Sequence, residues 1–295
     1  MLQSISAIIL TYNEEKHIAR CIRSIKNVAN HIYVIDSFST DNTCEIASKL
    51  GATVIQHQFV NQAQQLQWAL DTVELKGEWI LRVDADEYLS NQLVQEINDT
   101  IPNLSEYVTG CDMPRDVIFM GKHLKWGKMR SIRILRLWRK GAAYVEQRWM
   151  DEHCVLKYGK CHHLKSLFFD DNIKGLTEWI NKHNKYTNRE VVVMLSNKYK
   201  FGAINVQMKR RNFFKNIYYS APLYIRSVLY FVARYILLLG FLDGIPGLVW
   251  HTLQAYWYRF LIDSKIDEMY HVIGKNPTKE DVILYIKDAY NIDVK

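Results

Sequence analysis

The chain has 295 residues, of which 48% are hydrophobic and 23% charged, with only 5 prolines. That content can build one large core or two ordinary ones, and it excludes a disordered or low-complexity chain. The formal charge of +7 leaves nucleic acid, an anionic membrane or a phosphorylated ligand as the ordinary partners. Five cysteines, Cys21, Cys44, Cys111, Cys154 and Cys161, are scattered without a framework spacing, as expected in a reducing cytoplasm. Cys154, Cys161, His162 and His163 stand near one another, but no close cysteine pair supports a structural zinc site. The apolar run at residues 5–10 follows no basic segment and is too short for the core of a signal peptide, so it is predicted to be a first strand.

Residues 6–10 suit a buried parallel strand. A helix is predicted from Asn13 towards Lys26, with Asn13 as its cap and Glu14 and Glu15 at its positive end. Residues 31–35 form a second strand closed by Asp36. A polar turn follows, and Asp41 can cap a helix that carries Ile46, Ala47 and Leu50 and ends at Gly51. Residues 53–55 make a third strand, 61–75 a helix and 79–83 a fourth strand. Strands separated by such helices imply a parallel sheet with right-handed crossovers. Beyond a helix over 90–101, strand-like pieces at 117–119 and 132–138 with turns at Gly121, Gly127 and Gly141 imply a mixed sheet. Residues 175–195 read as a helix with Leu176, Trp179, Ile180 and His183 on one face. Residues 223–262 are the most apolar, interrupted by Arg226, Arg234, Asp243 and Arg259. They hold no run of the roughly 18–20 uncharged residues that a spanning helix needs. Gly240, Gly244, Pro246 and Gly247 break the region into two helices. With Lys209, Arg210 and Arg211 upstream, it suits the headgroup layer of a membrane; a buried helical hairpin is the alternative.

Chemistry concentrates at strand ends. Arg82-Val83-Asp84-Ala85-Asp86-Glu87 follows the fourth strand, so both aspartates are predicted at a carboxyl end, where open α/β sheets bind ligands. Two carboxylates there can share a hard divalent cation, and such a cation can clamp a diphosphate. Taken singly, Glu14 only complements a helix dipole and Asp36 only forms a turn. Three acidic strand ends in order outweigh those bland readings.

Leu10-Thr11-Tyr12-Asn13-Glu14, Asp36-Ser37-Phe38-Ser39-Thr40-Asp41-Asn42-Thr43 and Asp84-Ala85-Asp86-Glu87 resemble, in order and spacing, the inverting family 2 glycosyltransferases of the GT-A fold. Trp149-Met150-Asp151-Glu152-His153, Lys182-His183-Asn184-Lys185-Tyr186, Gly240-Phe241-Leu242-Asp243-Gly244 and Trp257-Tyr258-Arg259 are similar to the bacterial subgroup that builds exopolysaccharide and lipopolysaccharide core. The resemblance implies an α/β fold, the Rossmann-like mixed sheet of nucleotide-diphospho-sugar transferases, with a C-terminal helical extension. A catalytic domain would cover 1–205 and a helical, membrane-associating region 206–295. It also implies roles. Glu14 and Asp36 would accept hydrogen bonds from a base or ribose, and Thr11 and Tyr12 would line the base. Asp84 and Asp86 would approach the ribose and a Mg²⁺ or Mn²⁺ ion, Asp86 as its direct ligand. Inversion needs a base on the acceptor hydroxyl. Asp151 and Glu152 are the candidates, Glu152 the preferred one; the subgroup's His-Glu stands here as Asp-Glu, with His153 behind it.

Other basic groups have a functional and an ordinary reading. Lys128, Arg130 and Arg133 can neutralise phosphate or guard a sheet edge. Lys182 and His183 can flank an acceptor, or His183 can be a core histidine. Gln147-Arg148-Trp149 is similar to an element of processive members, at a different spacing. The implied activity is transfer of a sugar from a nucleotide donor, a UDP-sugar, to a lipid-linked saccharide, peripherally on the cytoplasmic face of a bacterial cell membrane, with no nucleic-acid partner. No Gly-x-Gly-x-x-Gly follows the first strand and no Gly-Lys-Ser/Thr occurs, which excludes the common dinucleotide and P-loop sites. A non-catalytic membrane-surface or nucleotide-binding module would account for the charge but leave three acidic strand ends idle.

Overall fold

A computed structural model describes residues 4–127, 132–146, 153–201 and 222–294. It divides into two compact units. The first runs to Lys174; the second starts at Gly175 and takes in a short stretch beginning at Lys125.

The first unit has strands β1 (Ile5–Thr11), β2 (His31–Asp36), β3 (Thr53–Gln56), β4 (Trp79–Asp84), β5 (Glu87–Leu89), β6 (Val108–Phe119), β7 (Lys122–His123), β8 (Ile132–Arg139), β9 (Ala143–Val145), β10 (Cys154–Leu156), β11 (Lys160–His163) and β12 (Phe168–Asp170). Helices α1 (Ile18–Ile25), α2 (Thr43–Lys49), α3 (Gln62–Thr72) and α4 (Asn91–Thr100) join the early strands. The main sheet has the order β3-β2-β1-β4-β8-β6-β12-β5. The first four strands are parallel. β8 enters antiparallel between β4 and β6, giving the mixed α/β sheet that the sequence resemblance implies.

Alternation along the strands sorts their side chains into two cores. Ile9 and Leu81 pack on one face with Ile22 of α1 and Leu93 of α4. Ile8 and Ile35 pack on the other with Leu66 of α3 and Trp138 of β8. Burying each such Ile or Leu contributes about 1.5–3 kcal/mol. Gly77 lets the chain enter β4 beside β1, since a Cβ there would lie 2.7 Å from the Ser6 backbone nitrogen. The resulting register sets Thr11 opposite Asp36 and Leu10 opposite Asp84. Three strand ends are thereby level.

Two local expectations are corrected. α1 begins at Ile18, not at Asn13. Asn13 has φ +54°, and its side-chain oxygen accepts from the Thr40 backbone N–H at 2.8 Å, so it ties two loops together instead of capping a helix. β6 is much longer than residues 117–119; Thr109, Asp112, Arg115 and Asp116 interrupt the apolar pattern that would have revealed it.

The second unit contains α5 (Leu176–Tyr199), α6 (Ile225–Leu237), α7 (Gly240–Ile273) and α8 (Lys279–Tyr290). Its core joins Val191, Val192 and Leu195 of α5 to Ile262, Ile266 and Met269 of α7 and Val282 and Ile286 of α8. Because α5 packs in this core, the division by packing falls before it, whereas the sequence reading placed the boundary after residue 205. α6 and α7 meet at a 68° bend. Among the described residues no single helix is long and apolar enough to cross a membrane.

Candidate functional site

The loops after β1 and β2 are stitched together by short polar side chains. Asp36 is fully buried. It accepts from the Thr11 hydroxyl at 2.9 Å and from the backbone N–H of Ser39 at 2.8 Å. Burial alone would raise its carboxyl, but hydrogen bonds from Ser39, Cys44 and Thr11 outweigh it and hold the pKa below the usual value. The Asn13 N–H donates to the Ser39 hydroxyl at 2.8 Å, and the Glu14 N–H to the Thr43 hydroxyl at 2.7 Å. Asp41 receives the N–H groups of Glu15 and Thr43. Asp36 thus shapes the site from beneath and presents no free carboxylate at its surface. Tyr12, 58% exposed, and Phe38, 54% exposed, stand on these stitched loops as aromatic faces on which a planar base can stack.

A second cluster sits at the end of β4. Arg82 and Asp84, two residues apart, share a face of the strand, and the guanidinium reaches Asp84 Oδ1 at 3.3 Å. Arg136 of β8 donates to Asp84 Oδ2 at 3.0 Å and also to Glu87 Oε1. Glu87 Oε2 accepts the Asp84 backbone N–H at 3.0 Å. Burial would raise the Asp84 carboxyl, but the charges of Arg136 and Arg82 hold it well below the carboxylate range. Burial pushes Glu87 up, opposed by Arg136 and reinforced by the charge on Asp84. The Nε atoms of Arg115 and Arg136 are buried and make no hydrogen bond among the described residues.

The segment after β12 runs across both loops. The Asp171 N–H donates to the Asp86 carbonyl at 3.0 Å, and Asn172 Nδ2 to Asp86 Oδ2 at 3.2 Å. The Ile173 N–H donates to His17 Nε2 at 2.9 Å, which leaves the proton on Nδ1 to donate to Glu14 Oε2 at 2.6 Å. Lys174 Nζ donates to Glu14 Oε1 at 2.6 Å. Arg20 of α1 binds both the side chain and the carbonyl of Asp171. Glu14 is therefore held between Lys174 and His17.

The two aspartates at this edge are the carboxylates that could hold a hard divalent cation. Asp84 is paired with two arginines, and Asp86, partly exposed as Asp84 is, accepts from the Asn172 amide. Cations of the Mg²⁺ type are commonly held by one or two carboxylates together with substrate phosphates. Elsewhere in the unit Asp112, Cys161 and His163 bring ligand atoms within 4.8 Å of one another, but Arg133 already binds Asp112 at 2.8 Å.

Thr11, Tyr12, Glu14, Asp36, Asp84 and Asp86 all lie at the carboxyl edge of β1, β2 and β4. Asp151 and Glu152, like Lys128, Arg130, Gln147, Arg148, Trp149 and the run Lys209-Arg210-Arg211, lie outside the described residues. Arg133 serves Asp112 and the Leu164 carbonyl. His183 belongs to the second unit, where its ring stacks on Trp179 with centroids 3.5 Å apart. The sequence reading missed His17, Arg20, Glu87, Arg115, Arg136 and the 170–174 segment as site components. Glu87 adjoins the aspartates in the motif and could have been noticed; Arg136 and Lys174 arrive through long-range pairing that leaves no local trace.

Residues 6–168 match the family model described as glycosyl transferase family 2. An uncharacterized glycosyltransferase of Rickettsia bellii is 44% identical over 97 residues, 33% of this chain and 32% of that protein. The chain thus matches about a third of that relative's length. The lipopolysaccharide core biosynthesis glycosyltransferase LpsC of Rhizobium meliloti is 26% identical over 296 residues, 95% of this chain and 97% of that protein. Among solved structures, the glucosyl-3-phosphoglycerate synthase of Mycobacterium tuberculosis, in complex with Mn²⁺, UDP and glucosyl-3-phosphoglycerate, is 21% identical. That likeness covers 38% of this chain and 44% of the synthase, with a TM-score of 0.33.

Proposed function

The chain belongs to glycosyl transferase family 2, and from that premise we propose that it moves a sugar from a nucleotide-diphosphate donor, a UDP-sugar, to a lipid-linked saccharide, with inversion, in lipopolysaccharide-core or surface-polysaccharide assembly. The observation that carries this reading is the register that levels Thr11 with Asp36 and Leu10 with Asp84, so that three polar loops face one ligand space. Likeness to LpsC along nearly the whole chain supports the lipopolysaccharide-type acceptor. The base would stack on Tyr12 and Phe38, while Glu14 accepts hydrogen bonds from the donor's nucleoside. Asp86 would hold a Mg²⁺ or Mn²⁺ ion, which supplies positive charge to the departing diphosphate. Arg115 and Arg136, which pair with Glu87 beside Asp84, would add positive charge near that diphosphate. Glu152, or Asp151 beside it, would take the proton from the acceptor hydroxyl. A lipid-borne acceptor and a basic chain fit a peripheral position on the cytoplasmic face of the cell membrane.

Thermal unfolding against UDP, GDP, CDP and NAD, each with and without Mn²⁺, tests the donor. A ligand at about 100 times its dissociation constant adds about 2.7 kcal/mol. The expected result is a Mn²⁺-dependent rise with UDP that disappears in Asp86→Ala. A rise that ignores the metal would remove the cation from the reading, and no rise with any nucleotide would sink the donor assignment.

A further inference from the structure

α6 and the start of α7 are inside out. In residues 225–250 every exposed side chain is aliphatic or aromatic, the other exposed position being Gly244. Leu237 and Ile245 are each 72% exposed, and Leu229, Leu239, Phe241 and Leu242 are exposed with them. The charged residues of the same stretch point inward. Arg226, 4% exposed, binds Asp263 of α7 through Nε at 2.8 Å. Asp243, 2% exposed, accepts the backbone N–H of Trp126 at 2.9 Å and that of Lys125 at 3.1 Å. Arg234 donates to the Gly127 carbonyl at 2.8 Å and lies against the Tyr230 ring. A helix in water does the reverse, exposing its charges and burying its leucines. Charges turned inward and paired, with apolar side chains outward, are what a hydrocarbon solvent demands.

We propose that the α6–α7 bend enters one leaflet of a phospholipid membrane as a re-entrant hairpin, without crossing it. This deepens the membrane placement proposed above and rests on it, but not on the reaction. Length sets the depth: at about 1.5 Å per residue α6 rises roughly 20 Å, short of a hydrocarbon core of about 30 Å but enough for one leaflet. The bend, Leu238 to Gly240, carries no charge and would lie deepest. The Gly127 N–H donates to the Leu238 carbonyl at 2.9 Å, so backbone freed by the bend is satisfied within the unit. Charge complementarity selects lipid as the occupant. Lys209, Arg210, Arg211 and Lys215 precede the hairpin in sequence and match anionic headgroups, whereas a protein partner would be met by a polar rim around an apolar centre, and residues 225–250 expose no polar side chain.

Flotation of the full chain with vesicles of phosphatidylethanolamine and phosphatidylglycerol tests the insertion. Binding is expected to persist in about 1 M salt, where the Debye length falls to about 3 Å and purely electrostatic attachment is lost. Leu237→Glu combined with Ile245→Glu should weaken binding at least ~10-fold, the equivalent of about 1.4 kcal/mol. Both positions are exposed, so folding is spared. Leu284→Glu, at a 60% exposed position on α8, should leave binding unchanged. Release of the wild-type chain by salt would reduce the contact to the headgroup surface and overturn insertion. So would failure to bind vesicles, or a dimer that the double variant dissociates, since a second copy would then cover the face. The UDP response of the soluble double variant reports separately on the donor site, so loss of that response and loss of vesicle binding cannot be confused.

Discussion

The two units solve opposite problems with the same residue types. In the first, apolar side chains fill both faces of a sheet and charge gathers at one edge, where Arg82, Asp84, Glu87 and Arg136 form a compact cluster. In the second, the Arg226–Asp263 pair is buried in a unit whose α6 and early α7 expose leucine and isoleucine. A buried ion pair at the carboxyl end of parallel strands reads as a ligand site. A buried ion pair under an apolar surface reads as a segment keeping its charges away from lipid. Burial of charge alone does not separate these cases; what lies outside the pair does.

Removing one partner from each pair is the strongest way to break that comparison. Taking one partner from a buried pair costs about 3–5 kcal/mol, because the other charge stays uncompensated. Arg136→Met and Arg226→Met should both lose stability on that scale in thermal or denaturant unfolding. They should part company with pH. Burial raises the Glu87 pKa, and Arg136 is the main influence lowering it, so the variant's Glu87 should take up a proton at higher pH than the wild type's. A group with a raised folded pKa contributes stability below its unfolded pKa and loses it as pH rises through the folded value. Wild-type Glu87 is raised to about 8, so Arg136→Met should recover part of its loss as pH falls from alkaline values towards about 8, and the difference from the wild type should level off below that. Equal loss across that range would show that Glu87 does not carry the cluster's response.

Next in size is the expected effect on turnover. Glu152→Gln and Asp151→Asn, made separately, should differ by at least ~10²-fold, the lower end for a general base. The Gln variant should be the slower one while keeping its UDP response, because the pair is separate in sequence from the three loops of the donor space. Near-wild-type rates in both variants would remove the pair from the mechanism.

How far the sequence revealed all this depends on the range of the interactions. β1, β2 and β4 were readable because buried parallel strands are continuous apolar runs, and Asp36 and Asp84 stand where those runs stop. β6 was not, because its polar residues make ion pairs with Glu87, His123 and Arg133 rather than packing in a core. The true role of Asn13 was hidden by its positive φ, which depends on Thr40 twenty-seven positions away. Among the site's charges, Arg82 and Glu87 sit inside the visible motif, whereas Arg136 and Lys174 are brought in by β8 pairing with β4 and by the turn after β12. The apolar character of residues 223–262 was plain, but not which way each side chain faces, because orientation follows from α7 supplying Asp263 to Arg226.

The smallest of these effects concerns acid, and it sharpens the contrast between the units. His183 is packed on Trp179, with its Nδ1–H donated to the Trp179 carbonyl at 2.8 Å, and burial lowers its pKa from 6.5 to about 4. A depressed folded pKa gives stability that is present above the unfolded value and lost as pH falls through the folded one. The second unit should therefore weaken between pH 6.5 and about 4. Discounted for the partial exposure of His183, the loss at pH 5 is about 1 kcal/mol. The first unit's lowered groups, among them Asp36, Asp41, Asp84, Glu96 and Asp112, are acids whose stabilisation persists until pH drops through the ordinary carboxylate range, near 3.9–4.3. Hydrogen exchange at pH 7 and pH 5, corrected for intrinsic rates, should then show α5 amides losing protection while those of β1 and β4 hold. His183→Phe, which keeps an aromatic ring beside Trp179 without a titrating group, should flatten the α5 response. If β1 and β4 lose protection first, or His183→Phe responds to acid as the wild type does, the acid-sensitive element is not this histidine.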